Sequence, residues 1–201
     1  MALEFENAGW PANRVFTWTD NTQMEGDLAV AAVELQAEVN AVITQTHAQH
    51  VVLVTWSAAT LASRYYIKNI DSSKVSIYIA MAGPQHGTTF NACQAYQSCR
   101  QFMAPDTPFL TALNAGTEVP GSPRIAYMTL RSDNDINVAP EDSAKLAGAN
   151  LNDRLSGLTA PSHFQYPVDA ATFAEVQKFI LAVEAGTQPA PGSQSQYRRG
   201  R

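Results

Sequence analysis

The sequence is poor in cysteine and in basic residues, and it has no long apolar run. Only two of the 201 residues are cysteine, and no cluster of cysteine and histidine offers a metal site. Lysine and arginine number 13 against 18 aspartates and glutamates, so the net charge is -5. This acidic balance argues against nucleic acid as a main partner. No apolar run reaches about 18 residues, so the sequence predicts no transmembrane helix.

The composition indicates a folded protein rather than a disordered one. Hydrophobic residues make up 45% of the chain and charged residues 15%, which is typical of globular proteins. Residues 1–186 are predicted to form a single domain, and the Pro/Gly/Gln/Ser-rich residues 187–201 a disordered tail. The first residues include Glu4 and Glu6 and no basic segment, so the chain as given shows no signal peptide.

The two cysteines lie six residues apart in a polar stretch. Cys93 and Cys99 could form a local disulfide or remain reduced thiols. We favour the disulfide, because no neighbouring histidine or cysteine suggests a metal site instead. A disulfide would suit an oxidising compartment.

The hydrophobic pattern alternates between strands and helices along the chain. The predicted strands cover residues 14–19, 51–55, 75–81, 124–130 and 150–155. The predicted helices cover residues 3–8, 25–46, 58–70, 107–113 and 170–183. Alternation of this kind predicts an α/β domain with a mainly parallel sheet.

A serine lies where the pattern changes from strand to helix. Residues 51–55 form a continuous apolar or β-branched run, as in a central parallel strand, and helical spacing begins after Ser57. A serine at such a junction has the geometry of a nucleophile elbow, beside the free N–H groups of a helix N-terminus. The alternative is that Ser57 only caps the helix.

Two further polar residues follow later strands, in an order that suits catalysis. Asp135 and His163 come after Ser57, which is the Ser, Asp, His order of α/β-hydrolases. A serine hydroxyl needs an imidazole to take its proton, and the imidazole needs a carboxylate to fix its tautomer. Asp133 and Asp142 compete with Asp135 for the acidic role, and His163 could be a surface residue. The three residues together nevertheless favour a triad.

The other three histidines are predicted to lie outside the triad. His47 and His50 flank the N-terminal end of the strand before Ser57, so we expect both to be solvated. His86 follows the end of a strand and could line a pocket, although a structural role is favoured. An exposed cleft lined by Trp56, His86 and Phe109 is the expected binding site.

Several segments resemble the small bacterial class 2 lipases and esterases. Ser57 opens the first of these segments, residues 57–69, which contain the specific run Ser-Arg-Tyr-Tyr-Ile-Lys-Asn. The acid loop ends at Asp135, and the histidine loop is Ser-His-Phe around His163. The likeness extends from about residue 9 to residue 180. The matching segments are residues 57–69, 82–88, 109–116, 131–135 and 162–164.

The resemblance implies an α/β-hydrolase fold, with a mainly parallel sheet flanked by helices on both faces and no large lid. It also implies hydrolysis of carboxylic esters, either acylglycerols or short-chain esters, without a cofactor and in a secreted protein. Ser57 would be the nucleophile, His163 the base and Asp135 the residue that orients it. The Ala58 N–H would hold part of the oxyanion.

The sequence departs from this family in two places. The family elbow reads Ala/Gly-His-Ser-x-Gly, whereas Thr55 and Trp56 precede the serine here and Ala59 replaces the glycine. The family also begins with an apolar strand ending in His-Gly that supplies a second oxyanion N–H, and this chain lacks it. We therefore expect an N-terminally truncated chain, with a gap between residues 14–19 and the strand before Ser57. An inactive fragment or pseudo-hydrolase is the alternative function, and amide or polyester hydrolysis is a weaker one.

Overall fold

The computed structural model of the protein describes residues 1–198 and shows five strands and six α-helices in that part of the chain. The helices are α1 (Ala2–Asn7), α2 (Leu28–Thr46), α3 (Ala58–Asn69), α4 (Gln97–Phe102), α5 (Pro108–Asn114) and α6 (Ala170–Glu184). The strands are β1 (Val51–Trp56), β2 (Val75–Met81), β3 (Ala126–Ser132), β4 (Leu151–Ser156) and β5 (Ser193–Arg198). Three short 3-10 helices cover Ala12–Arg14, Glu141–Ala144 and His163–Val168.

The five strands form one parallel sheet in the order β1-β2-β3-β4-β5. Parallel neighbours need a crossover between them, and helices lie in the connections after β1, β2 and β4. The predicted α/β class with a mainly parallel sheet is therefore confirmed. Because all strands run the same way, the loops after their C-terminal ends meet at one edge of the sheet, where ligands bind in such folds.

Helices cover both faces of the sheet. The side chains of β2 alternate between two cores, with Ile77 and Ile79 on one face and Tyr78 and Ala80 on the other. The first face packs against α1 and α6, and the second packs against α2 and α3. Burial on both faces explains why β2 has a nearly continuous apolar sequence instead of a strict alternation.

The predicted strand at residues 14–19 does not form. The chain there passes from the 3-10 helix Ala12–Arg14 into an irregular segment that reaches Asp20. β-branched and aromatic residues favour a strand only where a neighbouring strand completes the ladder. Within residues 1–198, no strand lies beside this segment, and β1 pairs with β2 alone.

The structure differs from expectation in the C-terminal tail. Residues 187–201 were expected to be disordered, yet β5 lies within them and pairs in parallel with all six residues of β4. Composition predicts disorder from the lack of apolar side chains, but a polar segment can still satisfy the backbone groups along an open edge of β4. Residues 199–201 lie outside the described residues.

Within residues 1–198, no helix is long and apolar enough to cross a membrane.

Candidate active site

Ser57 occupies a tight turn between β1 and α3. Its φ and ψ angles are 57° and -134°, in a region that favours glycine and that other residues adopt at a strain of about 1–3 kcal/mol. The Ser57 N–H donates to Met81 O at 2.9 Å, and Ser57 O accepts from the Thr60 N–H at 3.0 Å. The Ser57 hydroxyl makes no capping hydrogen bond to α3. The hydroxyl is thus available for another partner, and the capping interpretation does not hold.

That partner is His163. The distance between His163 Nε2 and Ser57 Oγ is 2.8 Å. His163 begins a 3-10 helix that Ser162 and Gln165 cap reciprocally, and its side chain is only 6% exposed. The Trp56 indole N–H donates to the backbone oxygen of His163 at 2.9 Å, and the two rings lie 5.3 Å apart. The residue before the serine therefore helps to hold the histidine.

Asp135 lies on the other side of the imidazole. Its carboxylate oxygens are 3.0 and 3.1 Å from His163 Nδ1. The N–H groups of Asn137 and Val138 donate to Asp135 Oδ1 at 2.9 and 3.1 Å, which fixes the carboxylate. With Nδ1–H donating to this carboxylate, Nε2 is left as the acceptor for the Ser57 proton. The structure thus brings together the three residues of the predicted triad.

The competing carboxylates have other partners. Asp133 Oδ1 accepts from Arg154 Nε at 2.7 Å. Asp142 pairs with Lys145 at 2.8 Å and with Arg131 at 3.2 Å. These ion pairs leave Asp135 as the carboxylate on His163.

Backbone N–H groups lie beside the serine hydroxyl at the start of α3. Within the described part of the chain, the N–H of Ala58 and that of Ala59 make no hydrogen bond, as expected for the first turn of a helix. Both residues border the cavity next to Ser57. The helix N-terminus carries partial positive charge, so a negative oxygen at Ser57 would be stabilised there.

A cavity of about 700 Å³ opens beside Ser57 and His163. Trp56 lines it, as predicted, whereas His86 and Phe109 do not. Phe109, a residue of α5, instead stacks on Tyr65 of α3, with the ring centres 5.8 Å apart. The remaining lining is largely apolar and includes Met81, Phe90, Phe102, Val138, Phe164 and Pro167.

His86 forms an ion pair away from this cavity. Its Nε2 lies 2.9 Å from Glu118 Oε1, and its Nδ1 lies 3.2 Å from Ser143 O. The hydrogen bond to Glu118 raises the pKa of His86, against the opposing effect of burial. Burial alone would raise the pKa of Glu118, but hydrogen bonds from His86 and the Ala147 N–H bring it below the ordinary value. The favoured structural role of His86 agrees with these contacts, and its predicted place in the pocket does not.

His47 and His50 are exposed at the N-terminal side of β1, away from the cavity.

Cys93 and Cys99 form a disulfide, with their Cα atoms 5.8 Å apart. The predicted disulfide is confirmed, and both residues border the cavity. In the described range 1–198, no group of three or more His, Cys, Asp or Glu side chains could hold a metal ion.

Sequence reasoning did not foresee two aromatic contacts. Trp56 was expected to line a pocket but also binds the His163 backbone, and Phe164 packs edge-on against Trp56 with its ring 5.8 Å away. Phe164 is 71% exposed at the mouth of the cavity. The available signal was their position, because each aromatic residue is adjacent in sequence to a triad member.

The parallel sheet, the helices on both faces and the serine at the strand-to-helix turn define an α/β-hydrolase fold. Among solved structures, the chain is similar to lipase B of Aspergillus fumigatus, with a TM-score of 0.54 and 21% sequence identity. The match covers 63% of this chain and 32% of the fungal lipase, so the chain spans about a third of that protein's length. At this identity the likeness establishes the fold.

No model of a known protein family matches the sequence, and a search of curated protein sequences gives no match. The resemblance to bacterial class 2 lipases therefore rests on the quoted residues alone.

Proposed function

We propose that the protein hydrolyses carboxylic esters through Ser57, His163 and Asp135. The observation that carries this proposal is the continuous hydrogen-bonded chain from Ser57 Oγ through both imidazole nitrogens to Asp135. These three residues are far apart in sequence. In space the imidazole lies between the serine and the carboxylate, which is the arrangement that activates a serine hydroxyl. A serine serving only as a helix cap would not point at an imidazole.

The geometry supports a two-step acyl transfer. Ser57 Oγ attacks the ester carbonyl carbon while its proton moves to His163 Nε2, and Asp135 stabilises the imidazolium. His163 then gives this proton to the departing alcohol oxygen, leaving an acyl group on Ser57. Water, deprotonated by His163, releases the carboxylic acid and regenerates the serine. The Ala58 N–H stabilises the oxyanion formed in each step.

The substrate class follows from the apolar cavity beside the serine. Its lining favours the acyl part of an ester or lipid, and the fungal structural neighbour is itself a lipase. We assign the chain to the bacterial class 2 lipases and esterases on the motifs around Ser57, Asp135 and His163. With that assignment come lipid degradation and secretion, and the Cys93–Cys99 disulfide is compatible with an oxidising compartment.

The test compares hydrolysis of p-nitrophenyl butyrate by the wild type and Ser57→Ala. Loss of the nucleophile should lower kcat by on the order of 10⁴–10⁶. Ser73→Ala is the matched control, because Ser73 lies in an exposed turn and its hydroxyl bonds to the neighbouring Asp71. Equal rates for wild type and Ser57→Ala would contradict the proposal.

The rival function is an inactive pseudo-hydrolase, and one observation favours it. In the described residues, the free N–H groups identified beside Ser57 belong to Ala58 and Ala59 at the start of α3, whereas the family that the motifs resemble adds a donor from a second loop. Losing one donor typically lowers the rate by about 10²–10³. A fluorophosphonate probe distinguishes the two functions. An active enzyme should both turn over ester and be labelled at Ser57, whereas labelling without turnover would establish the rival.

A further inference from the structure

The loop that leads to His163 has an exposed tip. Residues 157–162 connect β4 to the 3-10 helix that begins at His163. Leu158 is fully exposed and Thr159 is also exposed, whereas Ala160 returns to the core. A segment without buried apolar contacts keeps a fixed position only where hydrogen bonds hold it. The position of the tip therefore depends on hydrogen bonds from its neighbours.

Asn134 supplies such hydrogen bonds from the loop after β3. Its side-chain Nδ2 lies 2.8 Å from Ala160 O, 3.3 Å from Leu158 O and 3.4 Å from Gly157 O. The carbonyl oxygens fix which end of the amide faces them, because an amide oxygen cannot donate to a carbonyl. The backbone N–H of Asn134 donates to Ser132 Oγ at 3.2 Å, at the end of β3. Asn134 thus joins the loop after β3 to the loop after β4.

This connection accompanies one of the contacts within the triad. Asn134 immediately precedes Asp135, whose carboxylate oxygens lie 3.0 and 3.1 Å from His163 Nδ1. On the other side of the imidazole, Trp56 immediately precedes Ser57 and donates to His163 O at 2.9 Å. Each contact of the imidazole is therefore accompanied by a second hydrogen bond between the same two segments of the chain.

We propose that Asn134 is a positioning residue, which holds the His163 loop so that Nδ1 stays within hydrogen-bonding distance of Asp135. The proposal rests on the proposed ester hydrolysis, in which Asp135 fixes the tautomer that leaves Nε2 free to take the Ser57 proton. A general base works at about 2.6–3.2 Å, and a displacement of about 1 Å can lower the rate about a hundredfold. Asn134 does not border the cavity, so it acts through His163 and not through the substrate.

The test measures kcat and KM of Asn134→Ala for p-nitrophenyl butyrate, and the proton NMR signal of His163 Nδ1–H. Loss of the amide should lower kcat about ten- to a hundredfold. KM should stay within about twofold of the wild-type value, because Asn134 lies outside the cavity lining. The Nδ1 proton should move upfield and exchange faster with water, since its hydrogen bond to Asp135 is less firmly held.

Asn150→Ala is the matched control. The Asn150 side chain also bridges two backbone segments, because Oδ1 accepts from the Tyr127 N–H at 2.9 Å and Nδ2 donates to Pro189 O at 3.1 Å. These contacts lie at the N-terminal end of β4, opposite to the edge that carries the triad. Asn150→Ala should lower the free energy of unfolding in urea and leave kcat and the Nδ1 signal unchanged. Equal losses of kcat in Asn134→Ala and Asn150→Ala would overturn the proposal.

Two other results would also overturn it. One is wild-type kcat in Asn134→Ala. The other is a lower kcat with an unchanged Nδ1 signal, because His163 would then still lie on Asp135.

The same signal is compared between Ser57→Ala and the double variant Ser57→Ala/Asn134→Ala, a comparison that needs no turnover. A shifted signal in the double variant supports the positioning role even where the wild type hydrolyses no ester. An unchanged signal there contradicts the positioning role whatever the activity of the wild type. Failure of the proposed function is thus distinguished from failure of the positioning role.

Discussion

The hydroxyl of Ser57 reaches His163 because the backbone at Ser57 adopts a positive φ. Thr55 does not prevent this conformation, although the family that the motifs resemble has a smaller residue there. The Thr55 hydroxyl donates to Ile79 O at 2.9 Å, so the bulkier side chain is accommodated against β2. The elbow geometry therefore survives the sequence departure.

At the same scale, the role of Asp135 can be separated from that of its acidic neighbour. Asp135→Asn should lower kcat for p-nitrophenyl butyrate about 10⁴-fold, because an amide favours the wrong tautomer of His163. Asp133→Asn is the matched variant, since Asp133 pairs with Arg154 instead. It should leave kcat close to that of the wild type. The reverse ranking of the two variants would show that the acid is misassigned.

The pair of His86 and Glu118 predicts a pH-dependent stability. The pKa of His86 is raised above 6.5. Its contribution to the free energy of unfolding is therefore complete below pH 6.5 and is lost as pH rises through the folded-state pKa. The pKa of Glu118 is lowered below 4.5, so its contribution is present above 4.5 and is lost as pH falls through the folded-state pKa. The pair should stabilise the fold most at about pH 5.5.

Urea unfolding of the wild type and His86→Gln measures how the contribution of the His86–Glu118 pair to stability depends on pH. The difference in free energy of unfolding between the two proteins should be larger at about pH 5.5 than at about pH 8. Solvent screening keeps the effect small, since the His86 side chain is 37% exposed. A difference that grew toward high pH would contradict the pairing.

At the scale of elements, a buried arginine joins two helices. Arg64 of α3 is fully buried, and its guanidinium donates to the Asn114 side chain of α5 and to Glu118 O. Burial keeps water from the Arg64 guanidinium and thereby lowers its pKa. Removing an acceptor of the Arg64 guanidinium should therefore lower the free energy of unfolding.

Asn114→Ala should lower the free energy of unfolding by about 1–3 kcal/mol, because a buried donor loses its partner. Asn114→Asp is the matched variant, because it keeps an acceptor oxygen for Arg64 and loses only the hydrogen bond that Asn114 Nδ2 donates to Gln85 O, so it should stay nearer the wild type. Chemical denaturation measures both. Equal losses in the two variants would mean that the Arg64 hydrogen bond contributes nothing.

The pairing of β5 with β4 leads to another prediction at the scale of elements. Ending the chain after Gly192 removes β5 and leaves one edge of β4 unpaired. We expect lower stability in urea and faster exchange of β4 amides, as net backbone hydrogen bonds are worth about 0.5–1.5 kcal/mol each. Unchanged stability and exchange would indicate that the tail is disordered, as its composition suggests.

For the whole molecule, the sequence predicts those parts that depend on local pattern. Strand β2 was predicted at its observed bounds, because burial on both faces leaves a continuous apolar run between turn residues. Ser57, Asp135 and His163 each follow a predicted strand. Their positions were enough to predict that they lie at one edge of a parallel sheet. These features follow from the strand direction and the loops after the strands.

The parts that were not predicted depend on distant partners. Glu118 binds His86 from 32 positions away, and neither sequence neighbourhood signals the other. Residues 14–19 have strand-forming side chains, but no strand within residues 1–198 lies beside them, so propensity alone misleads there. Composition likewise misleads for β5, whose pairing depends on the open edge of β4.

The uncovered edge of β1 has a consequence for how the protein behaves at high concentration. Six residues with high β-propensity and neither charge nor proline match the composition of segments that assemble into stacked fibrils. Pairing of this strand between copies would remove protein from solution. A charged residue or a proline on the unpaired edge of β1 should therefore raise the concentration at which this protein stays in solution.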